Sequence, residues 1–105
     1  MNFIKNIRQS AKKKILYTEH ALDEMNAEDE MITTAEVKHV VFKGEIIEEY
    51  PEDKRGHSCL MLGKPQEKRP VHLVCAPKEG YLAIITTYIP SLKKWESDFK
   101  TRRKK

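Results

Sequence analysis

The stretch Val71-His72-Leu73-Val74-Cys75-Ala76-Pro77-Lys78-Glu79-Gly80-Tyr81-Leu82-Ala83-Ile84-Ile85-Thr86-Thr87-Tyr88-Ile89 decides the fold. Two runs rich in β-branched and aromatic residues, Val71–Ala76 and Tyr81–Ile89, flank the tight-turn tetrapeptide Pro77-Lys78-Glu79-Gly80. Pro90 stops the second run. The expectation is an antiparallel hairpin. In such a pair His72 shares a face with Val74 and lies within reach of Thr86 or Tyr88 across the strands.

Upstream of the hairpin the same pattern recurs. Ser58–Leu62 reads as a strand, followed by a polar turn over Gly63–Pro70. Glu45–Tyr50 reads as a further strand closed by Pro51. Before it the period changes to that of a helix. Phe3, Ile4, Ile7, Ala11 and Ile15 fall near one face of a helix over Asn2–Lys14. Thr18 caps a second helix at about Glu19–Glu28, which turns Ala21, Leu22 and Met25 inward. Thr33 and Glu36 form a capping box that opens a third helix carrying Val37, Val40 and Val41, and Gly44 ends it. After Pro90, Ser91 caps a last short helix holding Leu92, Trp95 and Phe99. The expectation is an α+β fold: N-terminal helices packed on a four-stranded antiparallel sheet, with a short C-terminal helix. The sheet face away from the helices is left open for a site.

The whole chain, residues 1–105, reads as a single domain, with residues 1–14 an extra N-terminal helix and residues 101–105 a basic tail. Net charge is +4, but it is unevenly placed. Residues 1–14 hold five basic side chains and no acid, and residues 15–52 hold eleven acids against Lys38 and Lys43. Residues 91–105 hold seven bases and two acids. The expected surface is polarised, with an acidic helical back from Glu19 to Glu49 and a cationic rim of sheet loops and termini. Such a rim suits a nucleic acid or an acidic protein. No apolar run approaches the roughly 18 residues of a membrane span. The N-terminus lacks the apolar core of a secretory signal, so the expected compartment is the cytoplasm, with no membrane partner. Cys59 and Cys75 read as buried thiols in a reducing compartment.

Histidine is the usual acid or base near neutral pH. His39 and His57 read as surface or structural. No His-x-His or His-x₃-His spacing occurs, so neither a metal nor another cofactor is expected. His20 lies four residues before Glu24 on one helix face, where the carboxylate orients the imidazole. His72, Thr86 and Tyr88 would bring an imidazole, a hydroxyl and a phenol onto the open face. Arg55, Arg69, Lys94 and Arg103 surround it as phosphate contacts. A base, an acid and a cation are the kit for metal-free RNA cleavage. The same groups also suit a hydrogen-bonded structural cluster.

Several motifs in order carry a resemblance. They are Thr18-x-His20-Ala21-x-x-x-Met25, Gly44-Glu45-Ile46-Ile47-Glu48-x-Tyr50, Arg69-Pro70-Val71-His72-Leu73-Val74 and Ile84-Ile85-Thr86-x-Tyr88-x-Pro90, followed by Trp95. Over about residues 15–103 the chain resembles an uncharacterised bacterial family of small stand-alone domains in the RelE/ParE-like toxin superfamily. The resemblance implies a barnase-like RelE fold. It also implies the toxin of a type II toxin–antitoxin pair, acting on mRNA as a metal-independent endoribonuclease, with a small antitoxin as protein partner. The family's polar positions carry over as His20, His72, Thr86 and Tyr88. Relatives often carry Arg shortly after the methionine of the His-Ala helix. Here that stretch is Asn26-Ala27-Glu28-Asp29-Glu30, and Arg55 or Arg69 would have to supply the contact.

These readings give His20, His72 and Tyr88 as catalytic candidates and Thr86, Arg69, Arg55, Lys94 and Arg103 as substrate-binding candidates. The alternative is a noncatalytic RNA- or protein-binding module of the same fold. A toxin of this fold aimed at a protein such as a gyrase is a third possibility.

Overall fold

The order of elements follows from where each run of sequence finds hydrogen-bond partners. The computed structural model describes residues 2–104; Met1 and Lys105, the outer ends of the expected helix and tail, lie outside the described residues. The Asn2 side chain accepts from the Lys5 amide and starts α1 (Phe3–Lys13), which buries Ile7, Ser10 and Ala11. Ile15-Leu16-Tyr17 then forms β1 (Ile15–Tyr17). Thr18 has two roles: its hydroxyl oxygen accepts from the Ala21 amide, capping α2 (Glu19–Met25), and its O–H donates to the Ile85 carbonyl at 2.8 Å. The Thr33–Glu36 capping box opens α3 (Thr34–Lys43), with Gly44 at its C-cap.

The sheet contains β1 together with β2 (Glu45–Tyr50), β3 (Ser58–Gln66), β4 (Arg69–Lys78) and β5 (Tyr81–Tyr88), in the order β1-β5-β4-β3-β2. β2 to β5 are the antiparallel meander read from the sequence. Five expectations need correction. The sheet has five strands, and β1 lies parallel to β5, with Ile15 opposite Leu82. A three-residue strand leaves no period to detect, and it exists because its neighbours bond the β5 backbone: Leu82 N–H donates to Lys14 O and Thr18 N–H to Ile84 O. The polar turn at residues 63–70 is much shorter, because β3 and β4 run on to Gln66 and Arg69 around Glu67-Lys68, with Lys68 at φ 64°. α2 stops at Met25, short of Glu28.

The fourth correction concerns residues 91–103, which form turns and a Trp95–Arg102 bridge where a short helix was expected. Asp98 explains the difference. Its carboxylate takes the Lys100 and Thr101 N–H groups, which a continuing helix would have given to carbonyls. The chain folds back there, and Glu96 N–H donates to Thr101 O.

The core lies between the helices and one sheet face. Ile7, Val37, Val40 and Val41 meet Met61, Leu73, Cys75, Leu82 and Ile84, all buried. Gly63 lets α3 approach closely, since a Cβ there would lie 2.9 Å from Val40 Cα. The opposite face was expected to be open. Its His72 end is covered by the folded-back residues 91–103, whereas its Ala83 end stays accessible.

Candidate functional site

Register alone brings part of the site together. His72 pairs with Tyr88 and Val74 with Thr86, so the four share the face away from the helices, and the Tyr88 hydroxyl lies 3.2 Å from His72 Nδ1. His72 itself is fully buried rather than presented on an open face. Its Nε2–H donates to Phe99 O at 2.8 Å, and Trp95 meets its ring edge-on, with centroids 4.6 Å apart. Burial pushes the imidazole below its ordinary value, so the neutral ring is favoured. With both nitrogens engaged, His72 is a structural pillar. Burial also raises the Tyr88 phenol.

His20 occupies the other setting. It is exposed on the first turn of α2, with Nε2 3.3 Å from Glu24 Oε1. That carboxylate is anchored to β5: Thr86 Oγ1 donates to Oε1, and the Thr87 amide donates to it at 3.1 Å. All three contacts fall on Oε1, and among the described residues no donor engages Oε2. Glu24 also lines a cavity of about 440 Å³ shared with Glu30, Tyr88, Lys94, Trp95 and Arg102. A carboxylate fixed by one oxygen and free at the other, facing a cleft with two cations, is equipped to take a proton or to bind a donor.

The remaining candidates are dispersed. Arg69 is drawn to the helical layer, where Nε donates to Glu36 Oε2 at 2.5 Å and NH2 to Glu30 O at 2.6 Å. Glu36 is nearly buried, and burial works to raise its pKa, but the Arg69 and Thr33 hydrogen bonds win and it is lowered. Arg69 is therefore committed to the fold. Arg55 forms a bidentate pair with Asp53 and borders a separate cavity with His20. Arg103 stays within its own segment, bonding Leu92 O and Glu96. Of the four cations, Lys94 lines the cleft with Tyr88 and Glu24.

The polarised surface is also corrected. The acids of β2 are not segregated from the cations, because Lys100 and Arg102 pair with Glu45 and Glu48. Arg102 grips Glu48 through Nε and NH2 at 2.7 and 2.9 Å, and Lys100 meets Glu45 at 3.0 Å. The Arg102 guanidinium also sits 4.7 Å from the centre of the Trp95 ring. Hydrogen bonds from Arg102 hold the Glu48 carboxyl below its usual range, whereas burial and Glu48 push Tyr50 up to about 12. Sequence reasoning named Arg102 as a basic residue past the last strand but missed Trp95 and Glu30 as cleft residues. The cations after Asp98 and the acids of Glu45–Glu49 were a usable signal, being complementary charges that seek each other. Among the described residues no three His, Cys, Asp or Glu side chains converge to hold a metal ion, and no helix is long and apolar enough to cross a membrane.

A mixed five-stranded sheet backed by helices, with a carboxylate–imidazole pair at the edge of a polar cleft, defines an α+β domain with one composite candidate site. The chain belongs to the family described as domain of unknown function DUF4258, which it matches over residues 17–89. No curated protein matches it, and no solved structure does. Helix α1 and the cleft residues Lys94, Trp95 and Arg102 lie outside the matched span.

Proposed function

We propose that this domain is a metal-independent endoribonuclease acting on mRNA, a RelE/ParE-like toxin of a bacterial cytoplasm held in check by a small antitoxin protein. One observation carries the proposal: Glu24 is pinned through Oε1 by Thr86, Thr87 and His20, and its Oε2 is left for the cleft. Oε2 takes the proton of a ribose 2′-hydroxyl, and the 2′-oxygen attacks the adjacent phosphorus. The P–O5′ bond breaks, and the His20 imidazolium returns a proton to the leaving 5′-oxygen. Lys94 offsets the charge that builds on the phosphoryl oxygens. The products are a 2′,3′-cyclic phosphate and a 5′-hydroxyl. His72 and Tyr88 position the floor, with no proton transfer assigned to His72.

The test is release of 2′,3′-cyclic phosphate ends from RNA in EDTA. Glu24→Gln and His20→Ala are each expected to lower the rate about 100-fold. Undiminished cleavage by the double variant would sink the proposal. The alternative, a noncatalytic module, draws support from the pairing of Arg102, Arg103 and Arg55 with carboxylates, which weakens the net pull on phosphate. Salt-sensitive RNA binding without turnover would favour it.

A further inference from the structure

The Ala83 end of the sheet face carries a second cavity, of about 350 Å³, lined by His20, the residue whose Nε2 meets Glu24 of the first cleft. Ala83 and Ile85 give it an apolar floor, Thr18 and His20 one wall, and Arg55 and Lys78 a cationic rim. Leu16, opposite Ala83 in register, extends the apolar surface and is exposed. The rim is built. Asp53 holds the Arg55 guanidinium through Nε and NH2, which fixes its plane, and the side chain is exposed. Lys78 Nζ donates to Arg55 O, and Gly56 at φ 106° permits that approach, since a Cβ there would lie 2.8 Å from Nζ.

We infer that this cavity is a nucleobase subsite for single-stranded RNA, taking the base next to the phosphate at Glu24. A flat apolar floor beside a fixed guanidinium plane accepts a stacked base. With Arg55 neutralised by Asp53, Lys78 carries the rim's net positive charge toward a flanking phosphate, and the acids of the Glu24 cleft are absent from its lining. The subsite rests on the reading of His20 and Glu24 as the reacting pair, because His20 lines this cavity and its Nε2 lies 3.3 Å from Glu24, which lines the cleft. A chain that lays a base here and a phosphate across His20 leaves a 2′-hydroxyl for Glu24.

The test uses an uncleavable, fluorescein-labelled 2′-O-methyl RNA tetramer and versions carrying one abasic residue at each position in turn. Anisotropy titration of the wild type is expected to show one position where base removal weakens binding about tenfold. Ala83→Phe, which fills the floor, is expected to abolish that difference while binding the abasic probe as before. Arg55→Ala, on an exposed loop, serves as a second variant and is expected to reduce the difference severalfold. A wild type indifferent to every abasic position overturns the subsite, as does full discrimination retained in both folded variants. Base discrimination without any cleavage of RNA would leave the subsite standing and remove the catalytic role of Glu24. Cleavage without discrimination would remove the subsite alone.

Discussion

His72 donates from Nε2 to the carbonyl of Phe99 at 2.8 Å, across 27 residues of sequence. A carbonyl only accepts, so the proton sits on Nε2, and Nδ1 is the acceptor for the Tyr88 hydroxyl. Phe99 stands at φ 57°, in the left-handed region that a bulky residue rarely occupies. The bond therefore joins the centre of the sheet to the bend of residues 91–103, whose Trp95 and Lys94 form part of the cleft.

Removing this pillar frees the segment it holds. His72→Ala loses the Phe99 bond and the Trp95 contact and leaves a buried void, a loss of about 3 kcal/mol. Urea unfolding measures that loss. Trypsin should also cut after Lys93, Lys94 or Lys100 faster than in the wild type. Unchanged stability together with unchanged cleavage would show that His72 does not hold the segment.

Burial, the largest influence on His72, keeps its folded pKa below the ordinary value of 6.5. Below about pH 6.5 the unfolded chain therefore binds more protons than the folded one. The stability contributed by this residue is complete above that pH and is lost as pH falls toward the folded value. His72→Phe cannot take up the proton. Its unfolding midpoint should fall less between pH 7 and pH 5 than that of the wild type, and an identical fall would assign the pH dependence to other groups.

Arg69 is predicted to support stability rather than RNA contact. Arg69→Ala leaves the Glu36 carboxylate nearly buried without its partner, which costs about 3 kcal/mol. Glu36→Gln in the same chain should restore part of that loss. RNA affinity of the folded fraction should stay within twofold of wild type, the limit set by a residue committed to Glu36. A large affinity loss with stability intact would return Arg69 to the site.

Gly63→Ala tests the close approach of α3 to β3. The added Cβ would lie 2.9 Å from both Cα and Cγ2 of Val40, so helix or strand must shift, costing about 2 kcal/mol. A thermal midpoint equal to wild type would mean the helix accommodates the methyl freely.

The antiparallel meander, the capping box at Thr33 and the His72–Tyr88 neighbourhood were readable because each rests on local periodicity or register. β1 was not, since three residues after a helix carry no signature and gain their strand character from β5. The C-terminal helix was misread for the opposite reason: Leu92, Trp95 and Phe99 have helical spacing, but Asp98 and the His72–Phe99 bond override it. At the site, the His20–Glu24 spacing was visible on one helix. Its anchoring by Thr86 and Thr87 depends on a packing of α2 against β5 that no local pattern encodes. The pairing of the basic tail with β2 likewise required the three-dimensional neighbourhood.

The parallel seam between β1 and β5 has a consequence for biosynthesis. Residues 15–17 find their partners at residues 82–84, and Glu24 is fastened by Thr86, 62 positions later. On a ribosome β1 and α2 have no β5 backbone to fasten to until β5 has left the exit tunnel. Nascent chains stopped before that point lack the fastened Glu24, so the candidate chemistry is withheld from every unfinished copy.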